Sequence, residues 1–241
     1  MLVVVAMSEF KIDPDCLLLF IDDTGHERFA DKQFPIFGLG GCGVMGSTYE
    51  HLLRNPWFQM KNEYFNGSQV PLHAADLRNP SASQIQAIAK FFRHYDFSRF
   101  CAISRITSCI DERTVPYDAT ATCLIERIRR VASWYPFKTI AMIFEASDRA
   151  DMLAARFFPN FTFTVDGSNV PIEYRRAAKS LCEPGLEVAD FIMHTAGAQV
   201  RDQMIGKVDG TRRFRKDFEC VFHSVDRRKS DYLLIDRVIV T

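Results

Sequence analysis

Two short apolar runs that each end in an acidic residue constrain the fold of this chain most strongly. CLLLFID ends at Asp22, and TIAMIFE ends at Glu145. A continuous apolar run of this length is typical of a central strand that other elements cover on both faces. If the two strands are parallel neighbours, their carboxyl ends lie about 5 Å apart. Asp22 and Glu145 then meet at the sheet edge where open α/β sheets bind ligands.

Helical and strand patterns alternate along the rest of the chain. Further strands are predicted at 33–44, 99–107 and 161–165, and helices at 47–65, 83–95, 116–134, 147–158 and 184–203. Ser47 and Glu50 have the spacing of a capping box at the start of the first helix, and Pro56 is expected to interrupt it. The pattern predicts an α/β fold with mixed strand directions, in a single domain over residues 1–241.

The last predicted helix carries a stripe of polar residues. Glu187, Asp190 and His194 stand three and four residues apart in GLEVADFIMHTAGAQV, so they share one helical face. Such a stripe indicates either a functional site or a solvated edge. Together with the two strand-end acids, the helix acid favours a site, because carboxylates that meet repel one another unless a positive charge lies between them. A divalent metal ion is the simplest such charge.

The net charge limits how a polyanion could bind. Thirty basic and thirty acidic residues cancel, so the field of the whole molecule attracts neither nucleic acid nor an anionic membrane. A nucleic-acid site must therefore be local. Arg175, Arg176 and Lys179 in EYRRAAK are the predicted substrate contacts, with further basic residues around Phe214 in TRRFRK. A solvated charged face is the alternative interpretation of these segments.

The cysteines and the start of the chain bear on the compartment. Seven cysteines without a C-x-x-C pair, mostly inside apolar runs, predict reduced thiols and a cytoplasmic protein. MLVVVAM has no leading basic residue and is far shorter than the roughly 20 residues that cross a bilayer. We therefore expect neither a signal peptide nor a membrane partner, and we expect residues 1–6 to be either an upstream start or a loose terminal strand.

Two motifs have competing interpretations. Asp23-Thr24-Gly25 is the tripeptide that aspartic proteases place at their dyad, but one copy among several helices does not fit that class. Gly38 to Gly43 fits the spacing G-x-G-x-x-G of dinucleotide-binding loops. These glycines fall inside the predicted second strand, however, and close strand packing is a sufficient reason for them.

Five motifs, FIDDTG, FGLGGCGV, LHAADL, IFEASDR and LEVADFIMHTAG, resemble in order and spacing the bacterial and phage family called domain of unknown function 3800. The resemblance covers about residues 16–203 and leaves 204–241 as a C-terminal extension. It implies a ribonuclease H-like fold, with a mixed central sheet flanked by helices. In that fold a first-strand Asp, a later strand-end acid and a C-terminal helix Asp bind divalent metal. By position these are Asp22, Glu145 and Asp190.

The chain departs from the family pattern at two of these motifs. The family usually has Asp-Glu-Ser-Gly where this chain has Asp-Asp-Thr-Gly, so the shorter Asp23 is expected to support the site and not to bind metal. Gln usually stands at the position of Glu187, so Glu187 is expected to be either an added metal ligand or a local adjustment.

Three more polar residues complete the predicted site. His73 in PLHAADL is expected at the rim, as a group that transfers a proton or orients the substrate; a structural histidine is the alternative. Asp76, close to it in the same segment, and His194 on the last helix are expected to have supporting roles. Asp76 could equally be a helix cap or a surface acid.

The function expected from the resemblance is a metal-dependent nuclease or phosphodiesterase acting on DNA or RNA. Two Mg²⁺ or Mn²⁺ ions about 4 Å apart would activate a water and stabilise the leaving 3′ oxygen, and carboxylates are their preferred ligands. The alternative is a catalytically silent binding or assembly module of a bacterial or phage defence or mobile-element system.

Overall fold

A mixed sheet with helices on both faces organises the protein. The computed structural model describes residues 12–26, 30–31, 33, 35–105, 116–147, 151, 162–165, 167–204, 221 and 230–235. The strands are β1 Cys16–Gly25, β2 Ile36–Met45, β3 Ser98–Arg105, β4 Thr139–Glu145, β5 Phe163–Val165, β6 Ser168–Val170, β7 Ile172–Ala177 and β8 Ser230–Ile235. The α-helices are α1 Gly46–Tyr49, α2 Asn55–Tyr64, α3 Ala82–His94, α4 Pro116–Ala132 and α5 Pro184–Met204.

The central sheet has the order β7-β4-β1-β2-β3-β8. Its β1, β2 and β3 are antiparallel neighbours, whereas β4 pairs parallel with both β1 and β7. At the other edge β8, from the predicted C-terminal extension, pairs parallel with β3. A separate hairpin is formed by β5 and β6. The predicted mixed α/β fold is confirmed.

The register of β1 and β4 places the two strand-end acids side by side. Ile21 pairs with Phe144 in the parallel ladder, so Asp22 and Glu145 are the next residue of each strand. The apolar residues of both runs are almost fully buried, at most 4 % exposed. The predicted parallel pairing of the two central strands is therefore confirmed; Glu145 ends β4 as predicted, whereas β1 continues past Asp22 to Gly25.

The alternation of side chains decides which face of the sheet the acids share. Leu18 and Phe20 of β1 pack in one core with Ile143 of β4 and with α5. The residues between them, such as Leu19, pack on the opposite face with α4. Because successive strand residues alternate between faces, Asp22 follows Phe20 and Glu145 follows Ile143 on the α5 face.

The glycines of β2 allow close packing. A Cβ on Gly40 would lie 2.3 Å from the Phe100 carbonyl oxygen of β3, and one on Gly41 would lie 3.0 Å from the Ala189 Cβ of α5. All ten residues of β2 are buried. The G-x-G-x-x-G spacing thus belongs to a buried strand, which confirms that its glycines serve packing and not a nucleotide loop.

The first helical region differs from its prediction. The residue before α1 is Met45, which makes no side-chain capping bond, so the predicted capping box of Ser47 and Glu50 is wrong. A π-helical turn at Glu50–Arg54 leads directly into α2, and Pro56 lies in the first turn of α2. Proline lacks the N–H that a helix interior needs, but it is tolerated in a first turn. Pro56 therefore does not interrupt the helical path.

The other predicted elements agree within a few residues where the structure describes them. Helices α3, α4 and α5 and strand β3 are confirmed, whereas the predicted helix 147–158 lies almost entirely outside the described residues. Strands β6, β7 and β8 were not predicted, because they are short or carry charged residues, as edge strands often do. In the described part of the chain, the helices are too short or too polar to cross a membrane.

Candidate functional site

A cavity of about 240 Å³ lies where the carboxyl ends of β1 and β4 meet α5. Six acidic residues line it, and none of the described lining residues is a lysine or an arginine. The acids are Asp22, Asp23, Glu145, Glu183, Glu187 and Asp190. The structure therefore brings Asp22, Glu145 and Asp190, from two strands and a helix, to one cavity, together with Glu187, the possible added ligand.

Asp22 lies in an unfavourable electrostatic environment for a charged carboxylate. Burial raises the pKa of the Asp22 carboxyl well above its usual range, and the nearby Asp190 carboxylate adds to that increase. The charges of Asp23 and Glu145 act in the same direction, while a backbone hydrogen bond from Asp23 opposes them. A bound cation would relieve this repulsion.

Asp190 is tied to the segment that carries His73. The backbone N–H of Ala74, the first residue of a 3₁₀ turn, donates to Asp190 Oδ2 over 2.7 Å. His73 Nδ1 lies 3.8 Å from the same oxygen. Within the described part of the protein, His73 Nε2 is buried without a hydrogen-bond partner. The structure thus places His73 in the cavity wall beside Asp190.

Glu187 has donors on both of its oxygens. Lys61 Nζ contacts Oε1 at 2.7 Å and Oε2 at 2.9 Å. The backbone N–H of Leu72 also donates to Oε1, and the Trp57 indole N–H donates to Oε2. Lys61 is fully buried and Glu187 is 4 % exposed. The ion pair cancels the charge of Glu187, and its predicted role as a metal ligand stays a prediction.

Glu183 is the cavity residue that the sequence reasoning missed. It precedes α5, is 6 % exposed, and accepts hydrogen bonds from the Tyr49 hydroxyl and from the Gly185 N–H. Burial raises the pKa of Glu183 to about 7, although the Tyr49 hydrogen bond opposes the increase. Its position four residues before Glu187 was the available signal, because that spacing continues the acidic stripe.

The structure does not bring every predicted supporting residue to the cavity. Asp23 lines it, but Asp76 is exposed in the 3₁₀ turn and is not among the lining residues. His194 lies one turn beyond Asp190 on α5, also away from the lining. The supporting roles of Asp76 and His194 stay predictions without a contact to the cavity.

The predicted basic contacts do not form one patch. Arg175 and Arg176 are adjacent in β7, so their side chains project from opposite faces of the sheet. Arg175 pairs with Glu173 at 2.5 Å, and Arg176 pairs with Asp151 at 2.5 Å. The Lys179 side chain and the basic segments at 212–216 and 227–229 lie outside the described part of the chain.

The carboxylates of the cavity suit a hard divalent cation, but they are not arranged as a metal-binding site among the described residues. Carboxylate oxygens are the ligands that Mg²⁺ prefers in proteins. In the ranges that the structure describes, however, no group of three or more His, Cys, Asp or Glu side chains is arranged so that it could hold a metal ion.

Comparison with protein-family models, with curated proteins and with solved structures finds no match for this chain. The chemistry of the site therefore has to be inferred from its own residues.

Proposed function

We propose that this protein is a divalent-metal-dependent nuclease or phosphodiesterase that acts on nucleic acid. One observation carries the proposal: Asp22, Glu145 and Asp190, from separate elements, line one cavity that has no lysine or arginine among its described lining residues. Carboxylates that repel one another favour a bound cation. Phosphodiester cleavage is a reaction that such cations promote.

The proposal includes a ribonuclease H-like fold and membership of the family called domain of unknown function 3800. The resemblance implies acids at the end of the first strand, at the end of a later strand and on a C-terminal helix. The positions of Asp22 on β1, Glu145 on the parallel β4 and Asp190 on α5 support that arrangement. The mixed sheet with helices on both faces supports it as well.

The roles of the residues follow from their places in the cavity. Asp22, Glu145 and Asp190 would hold Mg²⁺ or Mn²⁺, with Asp23 as their neighbour. The bound ions would supply an activated water and stabilisation of the leaving oxygen. His73, beside Asp190, would hold or move a proton at its buried Nε2 or orient the phosphate.

A cytoplasmic location and a nucleic-acid partner complete the proposal. All five cysteines that the structure describes are free, which suits a reducing compartment. Because the chain has no net charge, local cations must attract the phosphates; Arg175, on the α5 face of β7, is proposed for this role, with Lys179 as a second candidate.

A panel of single-stranded and duplex DNA and RNA, with Mg²⁺, Mn²⁺ or EDTA, tests the proposed reaction. We expect wild type to cleave at least one substrate with metal and none with EDTA, and Asp22→Asn to lose at least about 1,000-fold in rate. Asp31→Asn is the matched control, since Asp31 is an exposed acid that is not among the cavity-lining residues. Equal cleavage by both variants would refute the assignment of Asp22.

One observation favours a second candidate, the catalytically silent binding or assembly module. The described carboxylates form no ready metal-holding group, as a site retained only for structure would. The same panel separates the two candidates. Nucleic-acid binding without metal-dependent turnover on any substrate would favour the silent module.

A further inference from the structure

Glu187 joins three separate parts of the fold at the wall of the cavity. Its carboxylate binds Trp57 and Lys61 from α2 and the backbone N–H of Leu72, which lies more than 100 residues away in sequence. These contacts are buried, and Lys61 and Glu187 cancel each other's charge. Glu187 therefore works as a hydrogen-bond acceptor for the surrounding framework.

The segment 71–74, which we name the strap, is hydrogen-bonded to side chains of α5 through two backbone N–H groups. Leu72 donates to Glu187 over 2.9 Å, and Ala74 donates to Asp190 over 2.7 Å. The two acceptors stand three residues apart on α5 and the two donors stand two apart on the strap. His73 lies between the donors, with Nδ1 3.8 Å from Asp190 Oδ2. The bond to Glu187 therefore lies two residues along the strap from the bond to Asp190.

We propose that Glu187 is a positioning residue of the acidic cavity, which holds the strap so that Ala74 fixes the orientation of the Asp190 carboxylate. This inference rests on the proposed function, since the orientation of Asp190 serves metal binding. The competing assignment makes Glu187 a metal ligand itself. The two differ in what Glu187 must supply: a positioning residue needs only an acceptor for Leu72, whereas a ligand needs a carboxylate.

Two double variants separate these assignments. Lys61→Met with Glu187→Gln removes both charges but keeps a side-chain oxygen that can accept the Leu72 N–H. Lys61→Met with Glu187→Leu removes the charges and the acceptor at nearly the same volume. Both double variants lack the carboxylate and neither contains an unpaired buried charge, so they differ chiefly in their ability to hold the strap.

The first measurement is Mn²⁺ affinity by calorimetry. We expect the Gln variant to bind Mn²⁺ within about 3-fold of wild type and the Leu variant to bind it at least about 10-fold more weakly, the range known for residues that orient metal ligands. An equal loss in both variants would make Glu187 a ligand and overturn the proposal. Wild-type affinity in both would overturn it as well.

The second measurement, amide hydrogen exchange at Ala74, does not depend on metal. The Leu variant should exchange this amide at least about 10-fold faster than wild type, and the Gln variant should not, although the Ala74 amide donates to Asp190 and not to residue 187. An unchanged Ala74 amide in a folded Leu variant refutes the positioning role. If the Leu variant does not fold, the Gln variant alone tests the proposal. Loss of Mn²⁺ affinity in the Gln variant, with its Ala74 amide still protected, would contradict the proposal.

If wild type binds no Mn²⁺, that result would refute the proposed function and not the positioning role of Glu187.

Discussion

The acids of the cavity fall into two groups that differ in their partners. At the start of α5, Glu183 and Glu187 accept hydrogen bonds from buried donors, namely Tyr49, Trp57, Lys61 and the Leu72 amide. At the end of the β1 apolar run, burial raises the pKa of Asp22, and the charges of neighbouring carboxylates raise it further. Removing an acid of the first group should therefore harm the fold, whereas removing one of the second should relieve repulsion and harm only function.

The largest effect on stability is expected from Glu187→Gln. This change leaves the fully buried Lys61 without its counter-charge, and breaking such a pair costs about 3–5 kcal/mol of unfolding free energy. Urea denaturation measures the loss. The double change Lys61→Met with Glu187→Gln should recover most of it, because no unpaired charge remains. A stable Glu187→Gln protein would show that the pair does not hold this part of the fold.

Glu183 predicts a dependence of stability on pH. Its pKa rises from 4.5 to about 7 in the folded protein, so the folded state holds a proton that the unfolded state releases between pH 4.5 and 7. The unfolding free energy must then fall as pH rises through this window, by about 3 kcal/mol, and level off above it. Tyr49, Arg54 and Glu187 are the titratable groups that act on Glu183.

Urea denaturation at pH 4.5, 6 and 8 checks the Glu183 prediction. The Gln side chain in Glu183→Gln cannot titrate, but its oxygen can still accept the Tyr49 hydrogen bond. The unfolding free energy of this variant should therefore not fall between pH 4.5 and 7. The Asp31→Asn protein serves as the control, because Asp31 is exposed and does not line the cavity. An identical pH profile in wild type and Glu183→Gln would assign the slope to another group.

The two groups of acids also differ in how far the sequence could predict them. Asp22 and Glu145 are predictable because a buried central strand requires an unbroken apolar run, and the acid marks where that run ends. Asp190 follows from the helical period. The partners of Glu187 are not predictable in this way, since Lys61 and Trp57 lie 126 and 130 residues away and no local pattern records such a pairing.

The same distinction explains the elements that the sequence did not reveal. β7 has the sequence IEYRRA, whose charges look like a solvated loop until the parallel pairing with β4 is known. The π-helical turn at Glu50–Arg54 directly precedes α2, and the residues around it have the sequence pattern of an ordinary helix. Features set by pairing over long sequence distances or by a single backbone group need the folded structure.

Without metal, Asp22→Asn is expected to stabilise the protein, by less than Glu187→Gln destabilises it. The amide keeps the volume and removes one charge that faces Asp190, so the melting temperature should rise, on the order of 2–4 °C. Millimolar Mn²⁺ should raise the melting temperature of wild type by mass action and that of Asp22→Asn much less. A lower melting temperature for metal-free Asp22→Asn would place Asp22 in the framework group with Glu187.

The smallest effect is expected on nucleic-acid binding, from changes to the two arginines of β7. These arginines lie on opposite faces of the sheet, so they can be compared directly. If nucleic acid crosses the cavity, it lies on the α5 face, which Arg175 shares through strand alternation and Arg176 does not. Each phosphate contact releases condensed counterions, so Arg175→Ala should flatten the dependence of log binding affinity on log salt by about one unit. The double variant Arg175→Ala with Arg176→Ala should flatten this salt dependence no further, because a nucleic acid bound on the α5 face does not reach Arg176 on the opposite face. Fluorescence anisotropy from 50 to 200 mM salt, with Asp22→Asn used to prevent cleavage, measures these slopes. Additive changes of about two units would mean that the nucleic acid wraps around the β7 edge of the sheet, and the cavity would then meet only part of its path.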